Sequence, residues 1–122
     1  VHNSSGSSAE KQYDHLLGQR GTIIETMISV DRLLALLSQT MANLDQAAAH
    51  FEDALAFCRK AGYQPELAWT CCDYADMLKE RNAEGDHAKA ITLLDESLAI
   101  SSELGMRPLT GRVLSWREIL KA

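Results

Sequence analysis

Apolar residues recur every three or four positions along most of this chain, the spacing that places them on one face of an α-helix. No segment alternates apolar and polar residues with a period of two, the pattern of a half-buried strand. The periodicity predicts an all-α chain with a short helix over 9–18. Five longer helices are predicted over 20–40, 44–61, 65–81, 86–104 and 107–121.

Residues that commonly begin and end helices stand at these predicted boundaries. Asn43 and Asp86 occupy positions where a side-chain oxygen can cap the first backbone N–H groups of a helix. Gly62 and Gly105 follow predicted helices, where the chain often turns through a left-handed residue. Both prolines directly precede apolar-periodic segments, and proline is tolerated in the first turn of a helix. These signals support the predicted boundaries.

Residues 43–65 align with 86–108 at a constant separation of 43 residues. The aligned pairs include Asn43 with Asp86, Ala47 with Ala90, Phe51 with Leu94, Ala54 with Ser97, Leu55 with Leu98 and Gly62 with Gly105. A fixed period between about 20 and 50 residues, with one helix pair in each unit, is typical of an α-solenoid. The sequence therefore predicts stacked antiparallel helix pairs.

The predicted helix over 86–104 has a small–large–small pattern, with Ala90, Leu94 and Ser97 on one face. Small residues let a neighbouring helix approach closely, and the large one fills the space between them. The helix before it supplies an inner stripe of Leu67, Cys71, Tyr74 and Leu78. After a one-residue shift in register, that stripe matches Leu109, Val113, Trp116 and Leu120. The predicted helix over 107–121 is therefore the first helix of a further unit.

The segment LAWTCCDYADMLKERNAEGDHAKAITLLDESLAISSELGM resembles a tetratricopeptide repeat, and the likeness extends over residues 25–121. The unit is longer than the usual ~34 residues because Asn82, Ala83 and Glu84 lie between its helices. This variant resembles the carboxyl-terminal repeats of MalT-like and LuxR-type bacterial regulators and of adenylate or guanylate cyclases that carry an AAA-type ATPase. In those proteins the repeats serve as a sensor or an assembly platform.

The resemblance implies a right-handed superhelix of about two and a half helix pairs over residues 10–122. The residues of the amino-terminal segment, VHNSSGSSAEK, predict a flexible leader over 1–9. The resemblance also implies a repeat segment of a larger regulator, or a free-standing one, because no ATPase, cyclase or helix-turn-helix pattern is present. Repeat patterns are specific for fold and poor guides to function.

In such arrays the first helix of each pair lines a concave groove. Carried over position by position, the groove residues here are Arg32, Leu36, Gln39, Trp69, Cys72, Asp76, Lys79, Leu114, Glu118 and Lys121. Trp69 lies off the apolar stripe of its helix and is expected to be at least partly exposed, as an anchor for a peptide. The alternative is that Trp69 packs against the preceding helix pair. The lysine and asparagine clamp that some arrays use to bind a terminal carboxylate is disfavoured, because Leu36 and Asp76 stand at the asparagine positions.

Cysteine and histidine positions do not predict a metal site. Adjacent Cys71 and Cys72 point about 100° apart on a helix, and neither His50 nor His87 has a Cys or His partner three or four residues away. Cys58 and Cys71 are expected to be buried as small apolar residues, and Cys72 to be an accessible thiol near the groove. No cofactor is predicted, and no phosphate-binding loop or nucleophile motif indicates an enzyme.

The net charge of −5 disfavours binding to nucleic acid or to a membrane surface, because both normally need a basic face. An odd number of cysteines and the absence of a signal-peptide pattern favour the cytoplasm. We therefore predict a non-catalytic module that binds a protein or peptide, or itself, within a bacterial signalling or transcription-regulatory system. The alternative is a small-molecule sensor domain that gates an attached ATPase or DNA-binding regulator.

A homodimer is also predicted, because the ends of the array carry more apolar residues than one helix face can bury. Leu114 and Ile119 lie off the buried stripe of the helix over 107–121. Val30, Leu33, Leu34, Leu36 and Leu37 crowd the helix near the other end. Apolar surface left at the end of a solenoid is a site for association.

Overall fold

The computed structural model describes residues 4–21 and 28–121. Most of these residues lie in α-helices, as the periodicity predicts, and no strand occurs among them. The helices are α1 (Ser4–Leu17), α2 (Val30–Thr40), α3 (Leu44–Ala61), α4 (Gln64–Arg81), α5 (Asp86–Glu103) and α6 (Arg107–Lys121). The chain divides into two compact units, Val1–Phe57 and Cys58–Ala122, with the boundary inside α3.

The four helices from α3 to α6 match the predicted boundaries to within one residue, whereas the first two do not. The predicted start of a helix at residue 20 is wrong, since residues 18–21 form a turn and α2 begins only at Val30. Ser29 sets this boundary because its hydroxyl accepts a hydrogen bond from the Arg32 backbone N–H at 3.2 Å. The short first helix begins at Ser4, within the segment predicted as a leader, instead of at residue 9.

Three helices end in the same backbone arrangement, in which a left-handed residue turns the chain after the last helical turn. The left-handed residues are Ala42 (φ 61°), Gly62 (φ 71°) and Gly105 (φ 69°). The residue after each one donates its N–H to a carbonyl five positions earlier: Asn43 to Ser38 at 2.9 Å, Tyr63 to Cys58 at 3.0 Å and Met106 to Ser101 at 2.8 Å. This is the Schellman motif, which satisfies carbonyls that the helix end leaves unpaired.

In the first unit, α1 packs against α2, and the side chain of Tyr13 reaches the amino-terminal half of α3. Asp31 holds the turn after α1, because its Oδ2 accepts the Gly21 N–H at 2.9 Å. The fully buried residues at the centre of this unit include Val30, Leu34, Ala35, Ala47 and Phe51.

In the second unit, α5 packs against both α4 and α6, and α4 also contacts α6. The α4 and α5 backbones approach closely at Ser97, whose hydroxyl donates to the Ala68 carbonyl at 2.7 Å. Ser101 on α5 similarly accepts a hydrogen bond from the Thr110 hydroxyl on α6 at 3.0 Å. The largest fully buried side chains here are Met77, Leu78, Leu94, Leu109 and Val113. The predicted small residue at Ser97 thus lies at a close helix contact.

Burial follows the same 43-residue period as the sequence. The pairs in which both residues are buried are Ala47 with Ala90, His50 with Leu93, Phe51 with Leu94, Ala54 with Ser97 and Cys58 with Ser101. Because the same positions are buried in α3 and α5, the repeat in sequence corresponds to a repeat in helix packing.

The loop between α4 and α5 differs from its predicted form. Asp86 is the first residue of α5 and not its N-cap, a position that Gly85 occupies with φ 84°. The Asp86 carboxylate turns back over the loop, where it accepts the Ala83 N–H at 3.0 Å and two bonds from Arg81 at 2.8 Å. These bonds, chiefly those from Arg81, lower the pKa of Asp86 below its ordinary value. The carboxylate therefore closes the loop instead of capping the helix.

Candidate protein-binding surface

Helix α6 buries one face against the second unit and exposes the other. Leu109 and Val113 are fully buried, while Trp116 and Leu120 of the predicted inner stripe are partly buried. On the remaining surface, Leu114 is 45% exposed and Ile119 is 54% exposed. Single exposed apolar side chains are common on protein surfaces, so the surroundings of these two decide whether they indicate a contact surface.

Leu114 lies in an open groove along this outer face. The residues that line the groove are Leu114, Ser115, Arg117, Glu118 and Lys121. The sequence assigns three of them, Leu114, Glu118 and Lys121, to a groove lined by several helices, whereas all five lie on α6. Ser115 and Arg117 were not predicted to line it.

Arg117 is held in place at the edge of this groove. Its Nε donates to the Asp95 carboxylate of α5 at 2.8 Å. An arginine oriented in this way keeps donors and hydrocarbon surface beside Leu114, while its charge is balanced from within the chain. The groove thus has an apolar centre and a polar edge, the arrangement common in protein interfaces.

Leu114 and Ile119 do not form one apolar patch. Five residues of α-helix separate their directions by about 140° around the axis. Only Leu114 lines the groove, and Ile119 points to the other side of the exposed face. The two side chains are therefore separate contact points, and a substitution at one tests a different surface from a substitution at the other.

The structure brings α4 and α6 together at Lys79. The Lys79 Nζ lies 4.6 Å from the centre of the Trp116 ring, which is a cation–π contact. A second contact between these two helices joins Arg112 and Asp73, whose Nη2 and Oδ1 atoms lie 3.9 Å apart. Lys79 was predicted to line a groove, whereas Trp116 was assigned to the core. Their pairing depends on a contact between distant segments, which periodicity within each helix cannot reveal.

The remaining predicted groove residues of α4 differ from one another in exposure. Trp69 is partly exposed, which confirms the exposure expected of it, and Asp76 is also partly exposed. Cys72 is fully buried, so the prediction of an accessible thiol is wrong. Helix α4 packs against both α5 and α6, and its buried residues extend beyond the single apolar stripe that the sequence predicts.

The predicted groove residues of α2 belong to the first unit. Leu36 and Gln39 are partly exposed, but Arg32 is 8% exposed and does not present a free guanidinium to a groove. Arg32 lies in the first turn of α2, next to the Ser29 cap, where the chain covers it. Its assignment as an exposed groove residue is therefore wrong.

The cysteines are all buried, and Cys58 and Cys71 agree with their predicted role as small core residues. Burial, followed by the nearby Glu96 carboxylate, raises the pKa of the Cys71 thiol far above its ordinary value. Arg59 donates to the same carboxylate at 2.8 Å. No group of three His, Cys, Asp or Glu side chains suited to a metal ion occurs among residues 4–21 and 28–121.

A polar cluster around His50 was not predicted. His50 is buried in α3, and its Nε2 lies 2.8 Å from the Tyr13 hydroxyl of α1. The sequence did contain a signal, because the 43-residue alignment places His50 opposite the apolar Leu93. A histidine at a position that is apolar in the other repeat indicates a buried polar contact.

No family model, no curated protein and no solved structure matches this chain. Within the part of the chain that the structure describes, no helix has the length and apolar character needed to cross a membrane.

Proposed function

We propose that this chain is a non-catalytic, tetratricopeptide-like repeat module that binds a protein partner, or a second copy of itself, through the outer face of α6. The observation that carries the proposal is the exposed Leu114 in a groove edged by Arg117, Glu118 and Lys121. A central apolar anchor with a polar edge is the arrangement in which a few residues supply most of the binding energy.

The repeat architecture is part of the same proposal. The 43-residue period in burial and the equivalent chain turns at Gly62 and Gly105 support helix pairs that stack as a right-handed superhelix. Such arrays bind by presenting helix faces. The likeness to repeats of bacterial regulators supports a place in a cytoplasmic signalling or transcription-regulatory system.

Self-association is the form of binding that is simplest to test. Leu114 and Ile119 each leave about half of a large apolar side chain in water, and burial of apolar surface contributes about 25 cal/mol per Å² before entropy losses. We expect a dimer at tens of micromolar, which sedimentation equilibrium over a range of concentrations will detect. A monomer mass at those concentrations would refute self-association.

Three matched variants locate the contact. Leu114→Glu and Ile119→Glu place a charge on either side of the exposed face of α6. Leu104→Glu is the control, because Leu104 is a similarly exposed leucine, 48% exposed, at the end of α5. We expect dissociation with Leu114→Glu and no change with Leu104→Glu. If only Ile119→Glu dissociates the dimer, the contact lies on the Ile119 side of α6 and not at Leu114.

A pull-down tests binding to a different protein. Wild-type protein, Leu114→Glu and Leu104→Glu are used as baits in a lysate of the source cells, and Trp69→Ala is included because Trp69 is partly exposed on α4. A partner retained by wild type and by Leu104→Glu but lost by Leu114→Glu supports the α6 groove. Loss with Trp69→Ala only would place binding on α4, contrary to the proposal.

A further inference from the structure

A chain of hydrogen bonds joins α1 to the start of α3 and ends at a buried histidine. The Asn43 amide donates to Gln46 Oε1, and Gln46 Nε2 donates to the Tyr13 hydroxyl oxygen. That hydroxyl lies 2.8 Å from His50 Nε2, and the two rings meet edge to face with centroids 5.4 Å apart. Tyr13 is thus the member of the chain that α1 contributes.

These bonds can be completed with a neutral His50 ring. The Tyr13 oxygen accepts from Gln46 Nε2, and the Tyr13 hydrogen is then available for donation to His50 Nε2. A histidine that accepts at Nε2 is neutral and carries its proton on Nδ1. His50 Nδ1 is itself buried and has no hydrogen-bond partner among the described residues. The site is therefore built around the neutral ring.

A second proton on His50 would change the bond between His50 and Tyr13. Nε2 would become a donor, and the Tyr13 hydroxyl would have to redirect its hydrogen. A positive charge would also be buried in a residue that is only 7% exposed and whose Nδ1 has no hydrogen-bond partner among the described residues. The charged groups around His50 only partly offset the cost of placing a positive charge on its ring. Asp53 on α3 and Asp31 on α2 favour the charged ring, while Arg20 in the turn after α1 opposes it.

The balance of these effects favours the neutral ring. Burial is the largest of them, and it lowers the pKa of His50 below the ordinary value of about 6.5. A histidine whose pKa is lowered by folding stabilises the docked state fully above its ordinary pKa. That contribution decreases as the pH falls from about 6.5 to the pKa of the docked state, by at most about tenfold in the docking equilibrium per pH unit.

We infer that His50 is a pH-sensitive latch, and that its protonation releases α1 from α3. The contact is well placed for such a role, because Tyr13 and His50 bring together two helices that are distant in sequence, through a single polar chain. Release would uncover His50 and the α3 surface around it, while the salt bridges of the second unit would be unaffected at mildly acidic pH.

Amide hydrogen exchange, read by mass spectrometry on the complete chain, tests the latch. Exchange of peptides within Ser4–Leu17 is compared at pH 7.5 and 5.5, after correction for the intrinsic effect of pH on exchange. We expect α1 to lose protection at least severalfold at pH 5.5 in wild type and to show no pH dependence in His50→Gln, which cannot gain the charge. His15→Gln is the control, since His15 is exposed on α1 itself. Equal protection at both pH values in wild type would overturn the inference, as would pH dependence that persists in His50→Gln.

A titration of wild-type protein keeps the test decisive if His50→Gln does not fold. The imidazole signals of the four histidines are followed by NMR, with His50 assigned through its contact to the Tyr13 ring. We expect His50 to titrate below pH 6.5 and the Tyr13 signals to shift with it. A His50 that titrates at or above pH 6.5, or that titrates while Tyr13 is unchanged, would contradict the latch.

Discussion

Two ion pairs of the second unit have the same length but different surroundings, and they should contribute very differently to stability. Arg81 Nε lies 2.8 Å from Asp86, and Arg117 Nε lies 2.8 Å from Asp95. The Asp86 side chain is only 7% exposed, whereas that of Asp95 is 51% exposed. Substitution of each aspartate by alanine therefore compares a buried pair with an exposed one.

The expected magnitudes follow from the bonds that each carboxylate makes. Asp86 accepts two bonds from Arg81 and one from the Ala83 backbone, so Asp86→Ala removes three bonds to a charged group. Breaking a fully buried pair costs about 3–5 kcal/mol, but the Arg81 side chain is 24% exposed and can regain water. We therefore expect Asp86→Ala to lower the free energy of unfolding by about 2–3 kcal/mol. Asp95→Ala removes one exposed bond and should cost under about 1 kcal/mol.

Urea unfolding at pH 7 measures both values. Fluorescence reports on the second unit, because the only two tryptophans, Trp69 and Trp116, lie in α4 and α6. The measurement is repeated at 1 M salt, which should diminish the small Asp95 effect more than the Asp86 effect. Equal losses for the two variants, or a loss under 1 kcal/mol for Asp86→Ala, would refute the argument that burial decides the contribution.

The stability difference between wild type and Asp86→Ala should also depend on pH. Bonds from Arg81 lower the pKa of Asp86, so its contribution is complete above the ordinary aspartate pKa of about 3.9 and is lost as the pH falls through the lower pKa of the folded state. The difference in stability between wild type and Asp86→Ala should be constant from pH 7 to about 5 and should narrow below pH 4. A difference that already narrows near pH 6 would indicate another titrating group.

Three further predictions concern the backbone, the packing and the thiols. Ala42→Gly should stabilise the chain by about 0.5–1 kcal/mol in far-UV circular dichroism melts, because Ala42 holds a left-handed φ of 61° that costs alanine about 1–2 kcal/mol; unchanged or lower stability would contradict this. Ala90→Leu should destabilise by about 1–3 kcal/mol, since Ala90 is fully buried, and an unchanged melting temperature would show that its surroundings can accommodate a larger side chain. Cys58, Cys71 and Cys72 should resist a thiol reagent in the native protein and react together in urea, whereas one fast-reacting native thiol would contradict their burial.

The sequence by itself determined the helical content and most of the boundaries from α3 onwards. Helical periodicity and turn residues are local properties, so α3 and α6 were predicted at their observed limits and Gly62 and Gly105 at their left-handed turns. The 43-residue repeat also predicted which positions are buried, because a small–large–small face such as Ala90, Leu94 and Ser97 is typical of a close contact between helices.

Tertiary structure decided the points that depend on how distant segments meet. The start of α2 could not be read from periodicity, since apolar residues continue ahead of the Ser29 cap, and the left-handed turn at Ala42 lacks a glycine to mark it. Cys72 is buried, although it lies off the apolar stripe of its own helix. Lys79 meets Trp116, and Tyr13 meets His50, across 37 residues in each case. Such contacts arise from packing between helices, and the local periodicity that predicts a helix carries no information about which helix will cover it.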